Sequence, residues 1–313
     1  MPVLLTLVLW AALAAGTSAF ADPYLRFLLA QLGILVIAVT SLNLLGNVAG
    51  MLSLATAAFM GVGGYGALGF LTMAGIPLAA AIPMTVAIGW LAGWLMGLIA
   101  VRLSGISLAI ATFGFVQIFQ VLVKQDWELT GTGYGLIAPA LAFPGLGPIS
   151  NGQVAVFCIA MAVVVVQLAR ELTRSRIGRA WFAVKDHPVA AEMLGVNLVQ
   201  MRALAFATTG AVATLAGCLQ ALLLGITNPG LYTIDSSIGH LAMMVVGGSS
   251  GSAAGAVLGP ALLYLVPEYL ELGEYREILY GAALLAVLVL APGGLSGAWS
   301  VLLRSGRRMR GLR

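Results

Sequence analysis

The chain has 313 residues, of which 61% are hydrophobic and 8% charged, with a formal net charge of +4. That charge content excludes an ordinary soluble domain, where about a quarter of residues are charged, and a mean hydropathy of +1.04 points to lipid as the solvent. The basic excess is sparse and confined to loops, which excludes nucleic-acid binding as its purpose.

No Asp, Glu, Lys or Arg occurs between residues 27 and 101. Several windows exceed the roughly 18 apolar residues that mark a membrane span. A membrane β-barrel would instead show short alternating strands. The fold class expected is all-α: a polytopic helical membrane protein of about ten spans, including broken or re-entrant helices, in one transmembrane domain over 1–313. The two cysteines, Cys158 and Cys218, fall in apolar stretches and read as small buried hydrophobes.

In chain order, the first apolar run is 3–15. Ala19-Phe20-Ala21 follows it, before Asp22-Pro23, in the small-residue pattern of a signal-peptidase site. The positively charged start of a signal peptide is missing, so a retained first span is expected. A second span is expected over 25–45 and a third over 52–73, with Gly61, Gly63, Gly64, Gly66 and Gly69 permitting close helix approach or a broken helix. Asn43, Asn47, Ser53, Thr56 and Tyr65 cluster here. Their polar side chains should face protein or water, which makes them candidates to line a translocation path.

A fourth span is expected over 78–101 and a fifth over 106–123, the latter carrying Thr112. It also carries Gln117 and Gln120, about one helical turn apart, which either line a path or hydrogen-bond to a neighbouring helix. A Gly- and Pro-rich loop over 124–152 reads as a surface feature. Further spans are expected over 153–168, 203–224, 238–246, 253–266 and 278–290. The eighth and ninth are short and joined by Gly247-Gly248-Ser249-Ser250-Gly251-Ser252, a pattern of discontinuous helices.

The polar exception is the run 170–202, with a loop expected over 171–202. It holds Arg170, Arg174, Arg176, Arg179, Lys185 and Arg202 against Glu171, Asp186 and Glu192. Within it, Asp186-His187-Pro188 precedes Val189-Ala190-Ala191-Glu192-Met193-Leu194, and Gly195 follows. Asp before a helix start, Pro at its first position and Gly past its end predict a short helix over 188–194. Such a helix either docks a partner or joins two spans. With ten spans and both termini cytoplasmic, Arg102, this run and the basic tail over 298–313 lie inside, together holding twelve of the fifteen Lys and Arg residues.

Ionisable relays of the kind proton-driven transporters keep in their spans are missing apart from His240, which reads as a hydrogen-bonded packing residue. Neither lysine follows a Gly-rich loop at phosphate-loop spacing, and no zinc or catalytic-triad spacing occurs. The chain is therefore expected to be no enzyme, to bind no metal or cofactor, and to receive energy through its inward-side helix.

These residues resemble the permease subunit of branched-chain amino acid ABC transporters, of the LivM type. Six pieces carry the resemblance in order: the Gly-rich 46–66; Arg102-Leu103-Ser104-Gly105-Ile106 continuing through Leu108, Ala109, Thr112 and Phe115; 130–136; Ser175-Arg176-Ile177-Gly178-Arg179-Ala180 leading to Ala190-Ala191-Glu192 and Gly195; 247–259; and Pro292-Gly293-Gly294-Leu295. The resemblance implies an ABC importer permease fold in a bacterial inner membrane. It makes the helix formed by Asp186, His187, Pro188, Ala190, Ala191, Glu192 and Gly195 the coupling element. Implied partners are two ATPase subunits, which would hold the ATP and Mg, a second related permease and an external solute-binding protein. The chain departs from the family pattern at Thr56, where His is frequent; at Gln117 and Gln120, where an acidic and a basic residue are common; and at Ala291, where Arg is usual. Each departure removes charge or a titratable group. A branched-chain or similar neutral amino acid is the expected solute. The competing readings are a permease of this family for urea or short amides, a sodium-coupled secondary transporter, and a membrane scaffold.

Overall fold

A computed structural model describes residues 22–103, 105–125, 135–138, 142–143, 147–148, 151–248 and 253–269, with isolated positions between 278 and 294. The expected first span, the loop residues 130–134, most of the tenth span and the basic tail lie outside the described residues. The helices are α1 (Pro23–Asn43), α2 (Thr56–Thr72), α3 (Leu78–Ala100), α4 (Ile106–Lys124), α5 (Asn151–Arg174), α6 (Arg176–Asp186), α7 (Pro188–Met193), α8 (Leu198–Leu224), α9 (Ile234–Gly247), α10 (Ala253–Pro260) and α11 (Val266–Tyr269). Among the described residues five helices are long and apolar enough to cross a membrane: Pro23–Val48, Leu78–Ala100, Ile106–Lys124, Gly152–Arg174 and Leu198–Leu224. The expected spans that fall on described residues are helical over most of their length, except that residues 52–55 of the expected third span are not helical.

Helix α8 is the axis of the bundle and packs against α3, α2 and α1. Lipid gives no hydrophobic drive for helices to associate, so close packing of small residues carries the contact. On α3, Gly89, Gly93 and Gly97 repeat every fourth residue. A Cβ at Gly93 would overlap the Phe206 carbonyl oxygen, and one at Gly97 would overlap Ala203. On α2, a Cβ at Gly63 would overlap the Thr214 carbonyl. Hydroxyl and thiol groups add interhelical bonds: Thr214 Oγ1 donates to Phe59 O at 3.1 Å, and Cys218 Sγ donates to Gly63 O at 3.3 Å. Gly61, Gly63, Gly64 and Gly66 of α2 thus serve close packing, whereas a Cβ at Gly69 would meet nothing, and the break in the chain lies just ahead of them.

That break has two parts. Leu44–Val48 continues α1 as a π-helical turn, and residues 49–55 are non-helical, with Gly50 at φ +74°. A second π-helical turn, Ala261–Leu265, interrupts the ninth expected span between α10 and α11. Helices α9 and α10 form a close hairpin in which Gly247 faces Gly255 and Gly259 faces Met243, backbone to backbone. Among the described residues there are four short strands: β1 (Leu136–Ile137), β2 (Ala142–Phe143), β3 (Gly147–Pro148) and β4 (Ile226–Thr227). β1 pairs antiparallel with β4, with Leu136 opposite Thr227, and β2 pairs with β3.

The polar run departs from a simple loop. Helix α5 extends to Arg174, α6 follows after Ser175, and α8 begins at Leu198, so 171–202 is helical over most of its length. Helix α7 occupies Pro188–Met193, with Leu194 as its C-cap. Asp186 does not cap it. That residue closes α6, and His187 stands between the two helices without a side-chain capping bond. The expected start signal is instead the end of a helix that an amphipathic 3.6-residue pattern builds over 176–186.

Candidate functional site

The interruption between α1 and α2 gathers the polar side chains. Asn47 Nδ2 donates to Asn43 Oδ1 at 2.6 Å and to the Gly248 carbonyl at 3.3 Å. Ser53 Oγ accepts from Ala55 N at 3.1 Å. Thr112, reaching across from α4, accepts from Leu54 N at 3.0 Å and donates to Ala109 O at 3.0 Å. The first turn of α2 is held by α9, where Ser237 Oγ accepts from Ala57 N at 3.0 Å. Backbone N–H groups outside regular helix need such partners in an apolar setting. Asn43 also lines a small open crevice with Thr40, Val48, Arg170 and Thr173.

Thr56 Oγ1, Tyr65 Oη and His240 Nδ1 are buried without a hydrogen-bond partner among the described residues. His240 therefore packs without the hydrogen bond expected of it at Nδ1. The Tyr65 ring meets Phe119 and Tyr232, each with centroids 6.3 Å away and edges presented, and Phe119 and Tyr232 close the trio at 6.4 Å. Tyr232 Oη accepts from Thr227 Oγ1 at 3.1 Å.

The structure brings Asn43, Asn47, Ser53, Thr56 and Thr112 together at the interruption. Tyr65 stands about 13 Å farther along α2 at ~1.5 Å per residue. Gln117 is not with them. It is exposed on α4, whereas Gln120 is buried and donates to Pro229 O at 3.0 Å and Tyr232 O at 2.7 Å. The two glutamines lie about 60° apart around the axis at ~100° per residue, enough to separate a buried edge from an open face.

The coupling candidates sit at the far end of the polar run. On α7, Ala191 is buried against the protein, and Gly195 adopts φ +85°. Val189, Met193 and Leu194 project outward at 70%, 86% and 84% exposure. Helix α6 seats this element. Trp181 is buried in a cluster with Leu44, Leu45, Val48, Ala100 and Phe206, and its Nε1 donates to Met201 O at 2.9 Å. Lys185 Nζ donates to the Asn47 carbonyl at 2.8 Å. Arg202 donates to Val101 O at 3.0 Å and ties the start of α8 to the end of α3.

Sequence reasoning passed over Trp181, Ser237 and the Gly89, Gly93, Gly97 stripe. The four-residue glycine spacing and the amphipathic pattern of 176–186 were legible signals. Nothing in the sequence marks Ser237, whose role depends on α9 lying beside α2.

A family model described as branched-chain amino acid transport system / permease component matches residues 24–288. The chain is 28% identical over 285 residues to the high-affinity branched-chain amino acid transport system permease protein LivM of Salmonella typhimurium (strain LT2), covering 81% of this chain and 65% of the relative. To the Escherichia coli (strain K12) LivM it is 29% identical over 286 residues, with the same shares of 81% and 65%. The autoinducer 2 import system permease protein LsrC of Escherichia coli O9:H4 (strain HS) is 30% identical over 231 residues, covering 71% of this chain and 66% of the relative. The chain thus spans about 65% of the length of the LivM proteins it matches. No solved structure matches it. With the match reaching from the first residues of α1 past the end of α11, the chain belongs to the permease component family of the branched-chain amino acid transport system.

Proposed function

We propose that this chain is the membrane permease subunit of an ATP-driven importer for branched-chain or similarly neutral amino acids. The observation that carries the reading is α7: a short helix outside the apolar spans that exposes Val189, Met193 and Leu194 together. Apolar residues projecting from a polar loop mark an interaction site. Its basic surroundings support a cytoplasmic location, the side that the ten-span reading also gives to both termini, and there two ATPase subunits holding ATP and Mg would dock. A second related permease completes the path, and an external binding protein delivers the solute. Closure of the ATPase pair shifts α7, and the interrupted helices swing the path from outward to inward facing.

The amides, hydroxyls and imidazole around the interruption suit a net-neutral zwitterion. Buried polar atoms without partners, such as Thr56 Oγ1 and His240 Nδ1, are groups a passing solute would satisfy. The test is co-purification. Met193→Asp puts a charge at the exposed tip, and the ATPase subunits should no longer co-purify with the inserted chain. ATPase subunits retained at wild-type stoichiometry would remove α7 as the docking site.

A further inference from the structure

Lys185 and Trp181 lie one turn apart on α6 and both meet the interruption. Trp181 is buried in one hydrophobic cluster with Leu44, Leu45 and Val48, while the Lys185 stem crosses Gly50, where a Cβ would stand 2.6 Å from its Cγ. The Lys185 ammonium then ends on the Asn47 carbonyl at 2.8 Å. The π-turn stops at Val48, so its last carbonyls run out of helical N–H partners, and a charged donor satisfies one of them. From Asn47 the bonds continue to Asn43 at the end of α1 and to Gly248 at the α9–α10 turn. Just past Lys185, at this same end, α6 is separated from α7 by His187 alone.

We infer that Lys185 is a positioning residue that straps the docking helix to the interrupted helices, so that movement of α7 is delivered through α6 to the Asn43–Asn47–Gly248 junction. The inference rests on α7 being the docking helix. A one-residue link leaves α6 little freedom to lag behind α7. The two contacts on α6 then act on the interruption together, Trp181 through packing and Lys185 through a directional bond. Glycine at position 50 is required twice over, by its φ of +74° and by the Lys185 stem that crosses it.

The experiment uses the complete transporter in membranes, carrying Ser53→Cys as a reporter in the interruption. Cys158 and Cys218 are buried, and Ser53 is 4% exposed, so maleimide labelling reports on opening at position 53. A Met193→Cys cross-link to the ATPase subunit, made in parallel, verifies docking separately. Vanadate trapping should change the labelling rate at position 53 about tenfold with Lys185 present. Lys185→Met should abolish most of that change with the cross-link intact, and Lys185→Arg should restore it. A merely structural lysine would lower the amount of complex without altering this response. Loss of the cross-link in the otherwise wild-type transporter overturns the docking reading. With the cross-link formed, an equal response in Lys185→Met, or no response with Lys185 present, overturns the strap.

Discussion

Gly217 on α8 and Met60 on α2 meet backbone to backbone, so close that a Cβ on Gly217 would overlap the Met60 carbonyl oxygen. The neighbouring backbone has no flexible end that could move aside. Gly217→Val should therefore lower the stability of the detergent-solubilised chain, with overpacking of this kind costing about 1–3 kcal/mol. Gly69 is the control, because a Cβ there meets nothing. Gly69→Ala should be neutral or stabilising by up to about 1 kcal/mol. Thermal melts of the two variants followed by size-exclusion should diverge, and equal melting would refute the packing account.

The two glutamines of α4 make opposite predictions. Gln120 supplies the amide donor for two carbonyls of the Pro229–Tyr232 turn, at 3.0 and 2.7 Å. Gln120→Leu strands those carbonyls in a buried setting, at about 1–3 kcal/mol. Gln117 is exposed on the same helix, and Gln117→Leu in the isolated chain should stay within about 0.5 kcal/mol of wild type. Melting temperatures of the two purified variants check this directly. A Gln117 change as damaging as that at Gln120 would mean the faces are assigned wrongly.

The spans are legible in the sequence because lipid demands long apolar helices and tolerates few alternatives. Their ends are less so. Leu198 to Arg202 reads as loop because Arg202 is charged, yet its guanidinium finds the Val101 carbonyl and the helix extends through it. Asp186 carries the signal of a cap and is a terminus, since helix ends and starts share residue types when they stand two positions apart. At the site, Asn43, Asn47, Ser53 and Thr56 stand out by their shared polarity in an apolar stretch. Thr112 is drawn in by a tertiary hydrogen bond to Leu54, and Gln117 left out by helix rotation, and neither is visible in spacing alone.

Thr112 offers a test of how the interruption is held. Its hydroxyl is the partner of the Leu54 amide at 3.0 Å, and the residue is fully buried. Thr112→Val keeps the shape and removes the acceptor. An orphaned buried N–H costs about 1–3 kcal/mol, and the nearest relief is local opening of the non-helical segment. Hydrogen–deuterium exchange over residues 49–57 should therefore accelerate in Thr112→Val, while exchange in α8 stays as in wild type. Unchanged exchange at 49–57 would show that this bond does not hold the segment.

Gly195 provides the sharpest functional contrast. Its φ of +85° ends α7, and a Cβ there would meet no neighbour, so backbone strain rather than crowding decides which residues fit. A bulky L-residue forced into this region costs roughly 1–2 kcal/mol, whereas Asn visits it readily. Relief of that strain would re-aim the exposed Met193 and Leu194 tip. Gly195→Trp should therefore stop uptake of radiolabelled leucine by the complete transporter, and Glu192→Arg should do so by changing the charge beside the tip. Gly195→Asn should retain uptake. All three chains should insert at wild-type levels on immunoblots of membranes, since none of these positions lies in an apolar span. Normal uptake by Gly195→Trp and Glu192→Arg together would move the energy-coupling contact elsewhere on the chain.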